Sequence, residues 1–289
     1  MTRTIDFLGV KRIAIGVSLA VIAGGIVSLV LKGGPSLGID FRGGVHVIAK
    51  FAQPVSPDDI TATLQEAGLS RPKVIAAPEN EMLIDSVVEE AGVGQKIVQT
   101  LRAKLPVQDI SITEVGANVG RDLRRIGIIS TILSLGLMLI YISIRFQWRY
   151  AVGAVVATGH DIIITLGLFS VLNLEVNLPT LAAFLTVVGY SVNDTIVIFD
   201  RIRENQRLMR GIRLQDLMNV SITQTLSRTL LTSLATLFVV GVIFVVSGPG
   251  ELQTFSVAMI FGIIVGTFSS IYIASPIVML LQPRVSLAD

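Results

Sequence analysis

Six long apolar runs limit what this chain can fold into. Each has about 20 residues, the length that a helix needs to cross the hydrocarbon core of a bilayer. Backbone groups in lipid must also hydrogen-bond within the protein, so the runs predict six transmembrane helices. In chain order they are Ile13–Leu31, Ile126–Ile144, Tyr150–Leu172, Leu178–Phe199, Thr229–Ser247 and Leu252–Leu281.

The composition supports a polytopic membrane protein with the lipid bilayer as its surroundings. Of 289 residues, 52% are hydrophobic and 15% are charged, against about 25% charged in soluble domains. There is no cysteine, which excludes disulfides and thiolate metal sites. The net charge is only +2 and there is one tryptophan, so we do not expect nucleic-acid binding.

Basic residues in the short loops predict which side of the membrane each loop occupies. The loop between the fourth and fifth runs is rich in arginine, whereas residues 173–177 and 248–251 contain no Lys or Arg. The positive-inside rule therefore places both termini in the cytoplasm and Lys32–Arg125 outside it. The loop arginines are Arg201, Arg203, Arg207, Arg210 and Arg213, and three arginines oppose the trend on the outer side, Arg121, Arg124 and Arg125. A long translocated insert is largely exempt from the rule.

The exterior segment has the pattern of one small α/β domain. Its order of predicted elements is β-α-β-β-α-β, which is typical of a ferredoxin-like fold. Ser56 precedes a proline and two aspartates, as at a helix start, and Pro78-Glu79-Asn80 indicates a hairpin turn. The predicted strands are Gly44–Phe51, Lys73–Ala76, Met82–Val88 and Ile110–Val115, and the predicted helices are Ser56–Gly68 and Gly92–Leu105.

These assignments divide the chain into four parts. They are the N-terminus with helix one (1–31), the exterior domain and its linker (32–125), helices two to six (126–281) and a cytoplasmic tail (282–289). The first apolar run is longer than the roughly 7–15 residues of a signal-peptide core, and no small-residue cleavage site precedes the exterior segment. We therefore expect it to remain as a membrane helix.

Ionisable side chains stand inside or at the edge of the apolar runs. His160 and Asp161 lie in the third run, Asp194 follows Asn193 in the fourth, and Arg228 directly precedes the fifth. Such groups cost about 2.5–3.5 kcal/mol at a helix centre, so a function is expected of them. At about 1.5 Å per residue, Asp194 lies roughly 7–8 Å deep, within reach of Arg228, and Asp161 lies roughly 16 Å deep. We expect Asp194 and Arg228 to meet as an ion pair that protonation can open.

The helical spacing around these residues predicts that each faces the interior of the bundle. Small and polar residues recur every three or four positions beside each charge, the arrangement by which membrane helices pack closely. The predicted inward stripes are Ala154, Ala157, Asp161 and Thr165; Thr180, Ala183, Val187, Ser191 and Asp194; and Ser221, Thr225, Arg228, Thr232 and Ala235. A small-residue run in the sixth helix comprises Ala258, Gly262, Gly266, Ser270 and Ala274.

Other roles for these residues stay open at this point. The Asp194–Arg228 pair could be purely structural, and His160 could simply hydrogen-bond a neighbouring helix, since adjacent helical residues do not face each other. A metal site is disfavoured because no second ligand has the required spacing. An intramembrane aspartyl protease is disfavoured because Ser191-Val192-Asn193 replaces the GxG that precedes the second aspartate of such enzymes. We therefore expect no enzymatic activity.

Five segments carry a recognisable pattern: GIDFRGGV (Gly38–Val45), VGANVGRDL (Val115–Leu123), HDIIITLG (His160–Gly167), GYSVNDTIVIFDRIREN (Gly189–Asn205) and SITQTLSRTLLTS (Ser221–Ser233). In this order they resemble the motifs of the SecF family, the smaller membrane subunit of the SecD/SecF protein-translocation factor. The last two together are similar to the hallmark of the family. The chain departs from the usual pattern at Val45, Ala117 and Asp122.

The resemblance implies one half of a twelve-span assembly of the resistance-nodulation-division type. Its implied partners are SecD, the SecYEG channel, the translocating preprotein and YajC, in the bacterial inner membrane. It also implies that the proton motive force drives late steps of export, with protons as the coupling ion and no other cofactor. Asp194 and Arg228 match the family's proton-coupling positions, and SecD contributes a further aspartate. A passive scaffold for SecD and a proton-driven exporter of small molecules or lipids are the alternative functions.

Overall fold

Six helices of the computed structural model, which describes residues 4–69, 72–86, 92–209 and 211–282, are long and apolar enough to cross a membrane. This confirms the predicted fold class. A short 3-10 turn precedes α1 (Lys11–Leu31), and together they form the first span. The next four spans are α5 (Ala117–Arg145), α6 (Trp148–Leu172), α7 (Leu178–Leu208) and α8 (Leu214–Val246).

The sixth span contains a local widening of the helix. It runs as α9 (Glu251–Ser269), one π-helical turn (Ser270–Ala274) and α10 (Ser275–Leu281). Pro276 stands in the first turn of α10 and cannot donate a backbone hydrogen bond. In the same turn, the Ser275 hydroxyl donates to the carbonyl oxygen of Ser270 at 3.0 Å, as polar side chains do where a membrane helix is interrupted.

The segment between the first two spans begins with one helical turn, α2 (Ile39–Arg42), and continues into a small domain with the predicted element order. Its four strands form an antiparallel sheet in the order β2-β3-β1-β4, which agrees with a ferredoxin-like fold. Predicted residues 87 and 88 of β3 lie outside the described residues, and β4 begins three residues earlier than predicted. The elements are β1 (Gly44–Phe51), α3 (Pro57–Glu66), β2 (Lys73–Ala77), β3 (Glu81–Ser86), α4 (Val93–Lys104) and β4 (Val107–Val115).

Local sequence signals account for this domain. Val45, Val47 and Ala49 of β1 are fully buried against α3 and α4, following the two-residue period of a strand. The Ser56 hydroxyl caps α3 by accepting a hydrogen bond from the backbone N–H of Asp58 at 3.2 Å. Together these features place one face of the sheet against the two helices.

Small residues set the packing of the helix bundle. Gly25 of α1 meets Gly167 of α6 so closely that a Cβ on Gly25 would lie 2.8 Å from the Gly167 Cα. Likewise, a Cβ on Gly266 of α9 would lie 3.1 Å from the Ser191 Cβ of α7. The predicted small-residue run of the sixth span is therefore a packing surface against α7. Because α6, α7 and α9 are about half buried, they form the centre of the bundle.

The helices α7 and α8 extend well beyond the apolar runs. The apolar run that starts at Thr229 is only part of α8, which begins fifteen residues earlier, at Leu214. Where α7 and α8 extend beyond the apolar runs, their polar side chains hydrogen-bond to each other. The Asn205 amide of α7 donates to the Ser221 hydroxyl at 2.8 Å and to Gln224 Oε1 at 2.9 Å. Of the predicted tail, residues 283–289 lie outside the described residues.

Candidate functional site

Asp194 lies in the middle of α7 at the junction of three helices. Its side chain is buried, with 4% of its surface exposed. The Ser233 hydroxyl of α8 and the Thr267 hydroxyl of α9 each donate to Asp194 Oδ2 at 3.4 Å. These distances exceed the usual 2.7–2.8 Å or so of hydroxyl hydrogen bonds, so both bonds are weak. The carboxyl group is thus enclosed but loosely held.

Arg228 does not pair with Asp194 in this conformation. It lies on the exposed side of α8, and the described residues contain no salt bridge to it. Arg228 and Ser233 are five residues apart, about 140° around the helix at about 100° per residue. Since Ser233 faces Asp194, Arg228 points largely away from it.

The inward stripe predicted for α8 is therefore only partly correct. Ser221 and Thr225 are buried as predicted, but Arg228, Thr232 and Ala235 are exposed. Two neighbouring rows of small and polar residues run along α8, and spacing alone does not distinguish them. The row that packs inward comprises Ser221, Thr225, Thr229 and Ser233, all buried.

This inward row leads from one end of α8 to Asp194. Its members are four residues apart, one turn from the next. The Thr229 hydroxyl is buried and has no hydrogen-bond partner among the described residues. Buried polar groups normally have partners. This hydroxyl is therefore available to a water molecule or to a side chain that moves.

A polar face on α7 and α8 is exposed at the depth of the membrane. Tyr190 of α7 and Thr236 of α8 hold the two helices together through a 2.5 Å hydrogen bond. Asn193, adjacent to Asp194, lies on the exposed side of α7. The exposed small and polar residues, here called the α7/α8 face, are Ala182, Thr186, Gly189, Asn193, Arg228, Thr232 and Ala235.

Asp161 is the centre of a second buried polar cluster. The hydroxyls of Ser191 and Ser269 donate to its Oδ2 at 2.5 and 2.8 Å. His160 Nδ1 lies 2.9 Å from Asp161 Oδ1, so the expectation that these adjacent residues would not meet is wrong. The other ring nitrogen, Nε2, hydrogen-bonds the Ser18 hydroxyl of α1, as the alternative role for His160 expected.

The two carboxyl groups belong to separate clusters. In the described part of the chain no hydrogen bond joins Asp161 to Asp194. They are linked indirectly, because Ser191 binds Asp161 and precedes Asp194 by three residues on the buried face of α7. The two carboxyl groups bind different hydroxyls, Ser191 and Ser269 for Asp161 and Ser233 and Thr267 for Asp194. Within the same residues, no group of three or more His, Cys or acidic side chains is placed to hold a metal ion.

The GIDFRGGV segment contacts the start of α7, which the sequence did not reveal. Asp40 Oδ2 accepts a hydrogen bond from the backbone N–H of Leu178 at 2.8 Å, at the N-terminus of α7. Just before it, Gly38 N–H donates to Val176 O at 2.8 Å and Val176 N–H donates to Ser36 O at 2.7 Å. This segment therefore joins the exterior domain to the helix that carries Asp194. The sequence gives no signal for this contact, because Asp40 and Leu178 are 138 residues apart in the chain.

Two glycines allow a close contact between this segment and α5. Gly43 has φ +81°, and a Cβ there would lie 2.7 Å from the Ala117 Cα. A Cβ on Gly120 would lie 2.8 Å from the Gly43 backbone nitrogen. The GIDFRGGV and VGANVGRDL segments thus meet backbone to backbone. This contact is possible only because Gly43 and Gly120 have no side chain.

The small α/β domain and the loops at the helix ends line a pocket of about 250 Å³ that has both polar and apolar walls. His46 of β1 lines it, and a 2.5 Å hydrogen bond to Asp85 raises the pKa of the histidine above its ordinary value. Lys73 Nζ of β2 donates to Glu175 Oε1 at 2.8 Å in the loop before α7. Polar contacts of this kind can be broken and remade more easily than an apolar core.

Taken together, the fold and its site define a polytopic membrane protein with carboxyl groups buried among its helices. The chain matches the family described as "Protein export membrane protein SecD/SecF, C-terminal" over residues 95–284, and the SecD/SecF GG motif over residues 28–55. It is 41% identical to the protein translocase subunit SecF of Thermodesulfovibrio yellowstonii, covering 96% of this chain and 94% of the relative. The corresponding protein of Vibrio alginolyticus is 43% identical, and the match covers 94% of this chain and 88% of that protein. The chain belongs to the SecF family of protein translocase subunits.

A solved structure shows the same architecture. The crystal structure of SecDF from Thermus thermophilus matches with a TM-score of 0.87 and 34% identity, over 96% of this chain and 39% of that chain. A structure titled "SecDF in Super-membrane-facing form" matches with a TM-score of 0.71 and 33% identity, over 97% and 39%. The chain therefore corresponds to about two-fifths of SecDF.

Proposed function

We propose that this chain is the proton-coupling subunit of an export assembly that uses the proton motive force to drive late steps of translocation through SecYEG. The observation that carries the proposal is the state of Asp194, which is buried among three helices without a cation. A charged, unpaired carboxylate is costly at this depth. In the proposed cycle we assign this conformation to the proton-bound state, in which Arg228 is released from Asp194.

Loss of the proton provides the second state. A charged Asp194 attracts Arg228, and α8 must rotate or shift to bring the guanidinium inward. One charge that crosses about 100 mV supplies about 2.3 kcal/mol, which changes a two-state equilibrium about fifty-fold. That is enough to alternate between two packings of α7 and α8.

The contacts at the start of α7 carry this movement to the exterior domain. Asp194 lies in the middle of α7. Leu178, the first residue of α7, donates a backbone hydrogen bond to Asp40, which lies four residues before β1. A displaced α7 therefore pulls on the linker and on the glycine contact with α5. Asp161 and His160 contribute by connecting the moving helix to its neighbours: Asp161 of α6 binds Ser191 of α7, and His160 binds Ser18 of α1.

The α7/α8 face supports SecD as the partner within the membrane. Arg228 and Asn193 are exposed there at a depth where polar groups normally face protein. The small residues beside them permit close approach of another helix. SecDF of Thermus thermophilus is a single chain of which our chain matches 39%, and we propose that a separate SecD supplies the rest, including an aspartate that faces Arg228. SecYEG, the preprotein and YajC are proposed as further partners.

The proposed location is the bacterial inner membrane, with both termini in the cytoplasm and residues 32–125 on the periplasmic side. The support is the distribution of basic residues, since Arg201, Arg203 and Arg207 lie at the end of α7 opposite the sheet. In this orientation the proton enters from the side of the exterior domain. The inward row of α8 leads from Asp194 to the cytoplasmic end.

Inverted membrane vesicles that contain SecYEG, SecD and this chain test the proposal. Completion of a trapped preprotein is followed with the proton gradient present or dissipated. With Asp194→Asn, the increase caused by the gradient should disappear while SecD still co-purifies. Asp200→Asn is the matched control, because Asp200 lies six residues later on α7 and is exposed. An unchanged increase with Asp194→Asn would leave the chain as a passive scaffold for SecD.

A further inference from the structure

An apolar crevice lies between α5, α6 and α7 in the half of the bundle nearest the sheet. Its volume is about 250 Å³, and its lining is almost wholly hydrocarbon. The residues that shape it are Phe41, Gly127, Thr131, Leu166, Leu181 and Leu185. It is separate from Asp194 and from Asp161, neither of which lines it.

Short side chains on α5 leave this space open. This helix packs mainly against α2 and α6 and has few contacts with α7. At Gly127 it approaches α7 closely, since a Cβ there would lie 2.9 Å from Leu181 Cδ2. One turn further, Thr131 is the lining residue, and its hydroxyl is turned back to the Gly127 carbonyl oxygen at 2.9 Å. The wall formed by α5 is therefore apolar and shallow.

The crevice opens onto the outer surface of the bundle. Ile128 and Ile132 form its rim and are 57% and 66% exposed. Arg124 lines the end nearest the sheet, one turn before Ile128, and is exposed. Across the residues that the structure describes, Arg124 has no salt bridge with an acidic side chain. An unpaired guanidinium thus stands at the mouth of a hydrocarbon slot.

We propose that this crevice binds one acyl chain of an anionic phospholipid from the leaflet on the side of the sheet, with its phosphate at Arg124. A guanidinium binds phosphate through two parallel hydrogen bonds. An apolar cavity of about 150 Å³ already accommodates benzene, so 250 Å³ holds a longer hydrocarbon segment. A second transmembrane helix, about 10–12 Å across, is too thick to enter. The site also gives a role to Arg124, which lies on the side of the bundle where the short loops 173–177 and 248–251 contain no Lys or Arg.

Native mass spectrometry of the detergent-purified complex with SecD tests this site. Palmitoyl-oleoyl phosphatidylglycerol is added, and phosphatidylcholine with the same chains is the comparison lipid. We expect one retained phosphatidylglycerol, with occupancy reduced about ten-fold or more by Arg124→Ala, as for loss of one charge-assisted hydrogen bond. Thr131→Trp should reduce it similarly by filling the slot. Arg125→Ala is the matched control and should retain the lipid, since Arg125 does not line the crevice.

Other outcomes would overturn the proposal. Equal losses with Arg124→Ala and Arg125→Ala would indicate unspecific attraction of anionic lipid, and full retention with Thr131→Trp would exclude the crevice. A phospholipid with a photoactivatable acyl chain keeps the test valid if Thr131→Trp does not assemble. It should label residues 127–132 and 181–188 in the unmodified complex. Labelling spread over the exposed sides of α1 and α8, or a protein cross-linked to Leu185→Cys, would contradict the assignment.

Discussion

The backbone N–H of Leu178 donates a hydrogen bond to Asp40 Oδ2 at 2.8 Å, and this bond connects the linker of the exterior domain to the helix that carries Asp194. Asp40 acts as a capping carboxylate for the first turn of α7. Such a contact also stabilises the positive end of the helix dipole. It is therefore both a structural cap and one of the direct hydrogen bonds between this linker and α7.

Asp40→Ala should weaken gradient-driven export without loss of SecD from the complex. Loss of a helix cap costs about 0.5–2 kcal/mol, which loosens the linker but leaves the bundle folded. Asp40→Asn should restore much of the response, because its amide oxygen can accept the same hydrogen bond. Asp59→Ala in the exposed first turn of α3 is the control. Equal export by Asp40→Ala and the control would remove Asp40 from the pathway.

Gly120→Ala should destabilise the complex, whereas Gly136→Ala on the same helix should not. The new methyl group at Gly120 meets the Gly43 nitrogen at 2.8 Å, while nothing lies within 4 Å of a Cβ at Gly136. Overpacking of this kind costs about 1–3 kcal/mol. Thermal unfolding of the purified complex measures the difference. Equal unfolding temperatures would show that α5 does not hold Gly43 as described.

Asp161→Asn should assemble normally but reduce the export response to the gradient. The amide oxygen still accepts one hydroxyl, but the bond network of Ser191 and Ser269 is altered. Asp161→Leu removes every acceptor and should prevent stable assembly, because each unsatisfied buried group costs about 1–3 kcal/mol. Size-exclusion chromatography and the vesicle assay separate the two effects. A full response with Asp161→Asn would restrict the residue to folding.

The His46–Asp85 pair predicts that the exterior domain loses stability as the pH rises. The pKa of folded His46 is raised above about 6.5 by Asp85, so the charged ring is favoured by folding. The charged ring contributes fully to the free energy of unfolding below the unfolded pKa of about 6.5. This contribution is lost as the pH rises through the pKa of the folded state. Hydrogen exchange of β1 and β3 amides between about pH 6 and pH 8 measures this. His46→Gln should remove the trend, and the same trend in that variant would contradict the assignment.

The sequence was sufficient for the six spans and for the order of strands and helices in the domain. Both depend on local signals, such as apolar runs of fixed length and the Ser56 cap. The inward positions of Asp161 and Asp194 also agreed with the periodicity, since the small-residue rows that contain them are buried, although α7 carries a second such row that is exposed. These are features that a helix or strand expresses by itself.

Long-range contacts could not be predicted in this way. The two rows on α8 are both small and polar, and only packing against α7 and α9 decides that Ser233, rather than Arg228, faces Asp194. The apolar run marks where lipid ends, not where α8 begins, so its start at Leu214 was missed. The contact between Asp40 and Leu178 joins residues far apart in the chain and has no local signal.

The central claim is that a proton on Asp194 moves the exterior domain. Because the chain has no cysteine, Lys73→Cys with Glu175→Cys introduces one thiol pair between the domain and the loop before α7. Proteoliposomes with SecD and SecYEG are treated with a short membrane-permeant bismaleimide, with the gradient on or off. We predict that the gradient changes the cross-linking rate, and that Asp194→Asn abolishes the change while Asp200→Asn does not. A gradient effect that persists with Asp194→Asn, or that is absent throughout, would contradict the account.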